Sequence, residues 1–376
     1  MAQKELECRR QVLAECRQVV VKVGTRLLTD QSRIPKLIAG IAALREKGYQ
    51  VLLVSSGAVG IGMQQLGLAK RPRKLSEVQA LAAIGQEKLM SLYDQACQPF
   101  GFKSAQLLLT AADLRARERH LNVLNCIKAL WAHRVLPIVN ENDSVSVDEL
   151  RFGDNDILAG MLSTMTGSQL TIILTTEVGL RQRNADGALG ERISLVGRID
   201  DTMRASATGT DNATFSIGGM TSKLRAAAMV TAAGDYLWIA DGRRDDMLQR
   251  MIAGEDVGTL FVPRHSKLQA RKRFIRFFAK CAGAVTVDDG AAAAVVDRGR
   301  SLLPSGVVSV SGKFRRGDTV EVLDRQGRVL GRGLVNFASE ECALIIGKHG
   351  VEIPKILQRD ADEELIHRDN LSIAEN

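Results

Sequence analysis

The chain has 376 residues, 45% hydrophobic and 25% charged, with a net charge of +8 and a pI near 9.3. That length exceeds one ordinary core and predicts about two domains, and the composition excludes a disordered or fibrous chain while the basic balance favours anionic partners. Cys8, Cys16, Cys97, Cys126, Cys281 and Cys342 form no CxxC pair, which argues against a zinc site or a disulfide framework and for a reducing, cytoplasmic setting. Residues 1–7 lack an apolar signal core, and no stretch approaches the roughly 18 apolar residues of a membrane span, so no membrane partner is expected.

Residues 19–25, VVVKVGT, are a β-branched run closed by glycine and predict a first buried strand. Lys22 within it is costly to bury unless an anion meets it; the plain alternative is a lysine snorkelling at the strand end. Ile34, Leu37, Ile38, Ile41 and Leu44 recur at helical spacing ahead of Lys47-Gly48, a basic last turn and a C′ glycine. A second strand, 50–54, runs into SSGAVGIG (55–62), whose glycines let backbone N–H groups approach a ligand and whose serines offer hydroxyls. This is neither a Rossmann fingerprint nor a P-loop. Residues 75–93 read as a helix, 105–109 as a strand, and 113–134 as one long helix with a solvated charged run at 115–119.

The apolar run VLPIV (135–139) empties into NEND (140–143), and a second acidic cluster, GDND (153–156), opens the helix ILAGML (157–162). Ligands of open α/β sheets collect beyond the carboxyl ends of the strands, so these clusters are the first place to seek chemistry; the alternative is cap and turn residues. Strand 170–174 ends in Thr175-Thr176. Residues 181–216 make a polar, glycine-rich excursion that ends in IGGMTSKL (217–224), followed by an alanine-rich helix at 225–233. A Gly218-Gly219 turn entering a helix with Thr221, Ser222 and Lys223 in its first turn suits a phosphate; the alternative is a flexible cap with an exposed lysine. A strand at 236–240 ends in Asp241-Gly242.

Residues 264–278 are densely basic and aromatic, which fits RNA contact or a linker solvated by its own charges. Short β-like segments at 306–310, 318–323 and 329–335 then form a separate β-rich module. Alternating strand and helix signals before it predict an α/β fold, a three-layer open and mostly parallel sheet. With a parallel sheet, Lys22, the Ser56-Gly57 loop, both acidic loops and the Gly218-Gly219 turn with Lys223 share one edge. Two lysines with glycine loops suit phosphoryl transfer, where catalysis is mainly positioning and charge neutralisation. Asp156 is the carboxylate to hold them, Asp143 and Asn155 are left for a polar co-substrate, and Mg²⁺ is expected on nucleotide phosphates.

The motifs VVVKVGT, VSSGAVGIG, LPIVNENDSV, FGDNDILA and GGMTSKLRAA, in this order, resemble the amino acid kinase superfamily, in its glutamate-phosphorylating branch. SLLPSGVVSV, FRRGDTVEV and the IHRDNL ending resemble the PUA domain. The resemblance implies an amino acid kinase domain at 1–265, a basic linker at 266–282 and a PUA-like domain at 283–376. It implies ATP-dependent phosphorylation of the γ-carboxylate of L-glutamate, with Lys22, Lys223 and Asp156 catalytic and Ser56, Asp143 and Asn155 holding glutamate. Lys22, Thr175, Thr176, Ile217, Gly218, Gly219, Met220, Thr221, Ser222 and Lys223 are the implied ATP contacts; no side-chain metal site is expected. Proline as a feedback inhibitor and a homo-oligomer complete the expectation. Thr175-Thr176 and Ser216-Ile217 depart from the superfamily pattern, both on the nucleotide side. The rivals are a superfamily member acting on another carboxylate or phosphate, and an RNA-binding protein working through the C-terminal module.

Overall fold

The computed structural model describes residues 2–145, 154–183, 188–200, 202–204, 219–263 and 266–374. Contacts divide the chain into two compact units, Met1–Leu114 with Glu118–Lys267, and Arg115–Arg117 with Leu268–Asn376.

The first unit is built on an eight-stranded sheet ordered β3-β4-β2-β1-β5-β9-β10-β8. Its strands are β1 (Gln18–Val23), β2 (Gln50–Val54), β3 (Ser104–Leu109), β4 (Leu136–Glu141), β5 (Leu170–Thr175), β8 (Leu195–Val196), β9 (Tyr236–Asp241) and β10 (Thr259–Phe261). All neighbouring pairs are parallel except β9 with β10, which bears out the mostly parallel sheet. The hairpin β6 (Arg181–Arg183) and β7 (Leu189–Arg192) lies within the excursion that follows β5.

The central strands are buried along nearly their whole length, so they read as continuous apolar runs rather than alternating ones. Eight helices matter for the site and its support: α1 (Ala2–Glu15), α2 (Thr25–Leu28), α3 (Arg33–Glu46), α4 (Ala58–Gln65), α5 (Leu75–Cys97), α6 (Ala111–Arg115), α7 (Arg117–Ala132) and α8 (Asn155–Thr166). The predicted helix over 113–134 is therefore two, broken at Ala116. Helix α9 (Met220–Ala232) begins several residues before the alanine-rich stretch, which brings Lys223 inside the helix and buries it.

Two glycines set the crossing of α4 with α5. A Cβ at Gly85 would run into the carbonyl oxygen of Ala58, and one at Gly62 into that of Leu81. The helices approach backbone to backbone, and the serine loop that feeds α4 is held against α5.

Helix α1 docks through a fully buried arginine. Arg9 pairs with Asp256 at 2.9 Å, donates to the Ser194 carbonyl at 2.8 Å and lies 5.2 Å from the ring centroid of Trp238. Arg192 also reaches Asp256, at 3.0 Å. Trp131 and Trp238 are both buried, their indoles donating to the carbonyls of Val51 and Val257.

The second unit carries a five-stranded sheet ordered β12-β11-β13-β14-β15, comprising β11 (Cys281–Val287), β12 (Val307–Gly312), β13 (Thr319–Leu323), β14 (Val329–Leu334) and β15 (Leu371–Ile373). Part of the basic stretch forms a helix, Ala270–Phe277, packed on β14 and β15, with Phe274 and Ile275 buried. Among the described residues, no helix is long and apolar enough to cross a membrane.

Candidate active site

The carboxyl edge of the first sheet gathers the predicted side chains. Lys22 stands near the end of β1, level with Val54 on β2 and Ile173 on β5. Ser55 and Ser56 follow β2, and Gly57 takes a φ of 94°, a left-handed conformation that glycine adopts without strain, where the loop turns into α4. Asn140 and Glu141 close β4, and Asp143 lies half-buried in the turn beyond. Thr175 is buried at the end of β5, where its carbonyl accepts from Gly242 N at 2.8 Å, and Thr176 is half-buried next to it.

Helix α8 starts where the acidic cluster ends. Asp154 is its N-cap, its Oδ1 accepting from Asp156 N at 3.1 Å, which aims Asn155 and Asp156 from the first turn. Asp156 is fully buried and binds two ammonium groups. Lys22 Nζ lies 2.6 Å from its Oδ1 and Lys223 Nζ 3.0 Å from its Oδ2. Ser222 Oγ sits 3.1 Å from the same Oδ2 and 2.9 Å from the Gly219 carbonyl. Lys22 also lies 3.9 Å from Asp154.

Burial pushes the Asp156 carboxyl upward, but Lys22 and Lys223 outweigh it and hold the group down at about 2. For Lys22, burial favours the neutral amine, yet Asp156 and then Asp154 raise it above its ordinary value. Asp154 goes the other way: burial and the Asp156 charge raise its carboxyl, with Lys22 opposing. Lys22 therefore stays charged against a firmly ionised Asp156, which Lys223 contacts through the other carboxylate oxygen.

Beside this triad lies a polar group built on Asn155. Its Nδ2 donates to the Ser55 carbonyl at 2.7 Å, to Ser56 Oγ at 2.9 Å and to Asn140 Oδ1 at 3.0 Å. A carbonyl only accepts, so the atom facing Ser55 is the amide nitrogen. Its two protons are fully committed, and Oδ1 is the amide atom left for a ligand. Ser56 Oγ, accepting from Asn155, keeps its hydroxyl proton to donate.

Lys22, Asp156 and Lys223 thus come together as expected, and so do Ser56 and Asn155. Gly219, Met220 and Thr221 open α9 beside Ser222 and Lys223, whereas Ile217 and Gly218 lie outside the described residues. Sequence reasoning missed Asn140 and Gln86, which are joined at 3.0 Å behind Asn155. A polar Gln86 among Val78, Leu81, Ala82 and Leu89, all at buried helical spacing, was the available signal. Among the described residues no group of three or more His, Cys, Asp or Glu side chains is arranged to hold a metal ion.

A parallel sheet with buried lysines clasping one carboxylate at its carboxyl edge, and no P-loop, defines the class: a phosphotransferase of the non-P-loop kind. Residues 17–241 match the amino acid kinase family and residues 283–357 the PUA domain. Glutamate 5-kinase of Methylococcus capsulatus is 42% identical over 97% of this chain and 99% of its own length; that of Desulfotalea psychrophila is 42% identical over 98% and 100%. The solved carbamate kinase from Giardia lamblia bound to AMP-PNP is 18% identical, with a TM-score of 0.46, across 67% of this chain and 99% of that one. The chain belongs to the amino acid kinase family and, within it, to the glutamate 5-kinases.

Proposed function

We propose that the protein transfers the γ-phosphoryl group of ATP to the γ-carboxylate of L-glutamate, giving L-glutamyl 5-phosphate, the first step of proline synthesis. The observation that carries this reading is the clasp of Lys22 and Lys223 on Asp156, next to the donor and acceptor pair of Ser56 and Asn155. An α-amino acid presents an ammonium beside a carboxylate. Asn155 Oδ1, with Asp143, suits the ammonium, and the Ser56 hydroxyl suits the carboxylate.

In the transfer, a γ-carboxylate oxygen attacks the γ-phosphorus, the bond to the bridging oxygen breaks, and ADP leaves with the electron pair. The attacking carboxylate is already ionised at neutral pH, so no side chain need remove a proton. Lys22 and Lys223 neutralise charge on the phosphoryl oxygens, and Asp156 keeps both ammonium groups oriented. Thr175, Thr176 and the stretch of sequence from Ile217 to Lys223 form the nucleotide side of this reading. Mg²⁺ belongs to it as a companion of the ATP phosphates, whose charge it neutralises.

Purified protein with ATP, Mg²⁺, hydroxylamine and a panel of acidic amino acids tests the reading. Hydroxamate should form with L-glutamate first among them; absence of any glutamate-dependent ADP release overturns it. Resemblance adds a cytoplasmic homo-oligomer and inhibition by proline at the glutamate site, which excess glutamate should relieve. RNA binding through the second unit, the rival role, requires salt-sensitive tRNA binding on which activity depends.

A further inference from the structure

We infer that Gln86 is a positioning residue for amino-acid recognition: through Asn140 it holds in place the Asn155 amide, whose orientation the Ser55 carbonyl sets, so that Oδ1 stays presented to the substrate. This deepens the glutamate reading and rests on it.

Two backbone atoms determine the whole chain of amides. Glu141 N–H can only donate, so the Asn140 atom 3.0 Å from it is Oδ1. The other end of Asn140 is then Nδ2, which donates at 3.0 Å, so the Gln86 atom receiving it is Oε1. On the substrate side, the Ser55 carbonyl can only accept, so Asn155 turns Nδ2 toward it and toward Asn140 Oδ1. No amide in this series can be turned over without setting donor against donor or acceptor against acceptor. Gln86 and Asn140 are both buried, where an unmatched polar atom is most costly.

Gln86 itself is held by the crossing of α4 and α5, one residue beyond Gly85, whose missing Cβ permits the contact with Ala58. Its Nε2 is buried and has no hydrogen-bond partner among the described residues. Gln86 therefore serves the network as an acceptor. Without that acceptor, Asn140 Nδ2 is left unmatched, Asn140 shifts to relieve it, and Asn155 loses one of the three contacts that keep its Oδ1 free for an ammonium.

The test compares Gln86→Leu, which removes the acceptor, with Gln86→Glu, which retains a carbonyl oxygen in either protonation state. Should Gln86→Leu fail to fold, Gln86→Met takes its place, an unbranched side chain with only a weak acceptor. The expected result for the acceptor-less variant is a KM for glutamate raised about tenfold or more, with the KM for ATP within about twofold and kcat within about threefold. Gln86→Glu should return the glutamate KM to within about threefold of the parent. An unchanged glutamate KM in Gln86→Leu, or a Gln86→Glu variant as impaired as Gln86→Leu, overturns the inference, because packing alone would then explain the position. Glutamate turnover by the parent enzyme is measured first. If the parent turns over glutamate and the variants show no such split, only the role of Gln86 falls; if the parent shows no turnover, the function falls and this role with it.

Discussion

Lys22 Nζ and Asp156 Oδ1 stand 2.6 Å apart, with the carboxylate fully buried and the lysine almost so. Asp156 is held at about 2, below its ordinary value of 3.8, so its share of stability is fully present above that ordinary value and is lost as pH falls through about 2. Lys22 is raised above 10.5, so its share is present below that value and is lost only as pH rises through the higher folded one. Both groups remain charged throughout the neutral range. We expect Asp156→Asn to lower turnover roughly 100-fold or more from about pH 5 to 9, with no shift of the apparent pKa values in the pH–rate profile. Movement of an acid limb in that range on removing Asp156 would assign the titration to it and contradict the geometry.

Lys223→Ala separates transition-state stabilisation from binding. Lys223 contacts Asp156 and the Gly219 carbonyl, on what is proposed above as the phosphoryl side of the site. Turnover should fall about 100-fold or more while the KM for glutamate stays within about threefold. Steady-state kinetics with glutamate varied at saturating ATP decides it, and unchanged turnover would remove Lys223 from the catalytic set.

Asp154 supports a prediction of opposite sign. Its raised carboxyl means the neutral form suits the fold, so its favourable share is present at low pH and is lost as pH rises through the folded value. Asn caps a helix as well as Asp does. Asp154→Asn should therefore melt at or up to about 2 °C above the parent at pH 7. A lower Tm at pH 7 would show that the charge near Lys22 stabilises more than burial costs.

Gly85→Ala should lower the unfolding free energy by about 2 kcal/mol or more, because the new Cβ meets backbone, which cannot swing away. Urea unfolding followed by far-UV dichroism measures this. The same variant should weaken glutamate binding, since α4 carries the Ser56 loop and α5 carries Gln86; a variant of parental stability would show that the crossing opens freely.

Much of the site was legible because it lies on local patterns: VVVKV and VLPIV are buried strands, and the residues at the end of each must stand on the carboxyl edge. Asp154, Asn155 and Asp156 could be placed for the same reason, as cap and first turn of an apolar helix. Arg9 was not legible. A charged N-terminal stretch gives no sign that one arginine will be buried, because its partners Asp256 and Trp238 arrive from the far end of the unit. The Gln86–Asn140 link likewise joins a helix and a strand with no shared periodicity. Strand β11 is weak as a pattern, CAGAVTV, and owes its definition to β12 and β13 on either side. The break at Ala116 had no glycine or proline to announce it.

Among the described residues Arg9 is the one arginine with no exposure at all, yet its partner Asp256 is partly exposed and keeps Arg192 as a second cation. That second cation limits the damage, so Arg9→Met should cost about 1–3 kcal/mol rather than the roughly 3–5 typical of a stranded buried charge, with kcat unchanged. Urea unfolding alongside steady-state kinetics checks both halves, and a loss of catalysis at full stability would tie α1 to the chemistry instead.

The chain has two tryptophans, Trp131 and Trp238, and both are sealed inside the first unit. Intrinsic emission excited at the indole band is therefore a private signal of the sheet that carries the lysines. The second unit is dark at that wavelength. A red shift on adding denaturant times the opening of the first unit alone, and any difference from the far-UV dichroism curve measures how independently the other one melts.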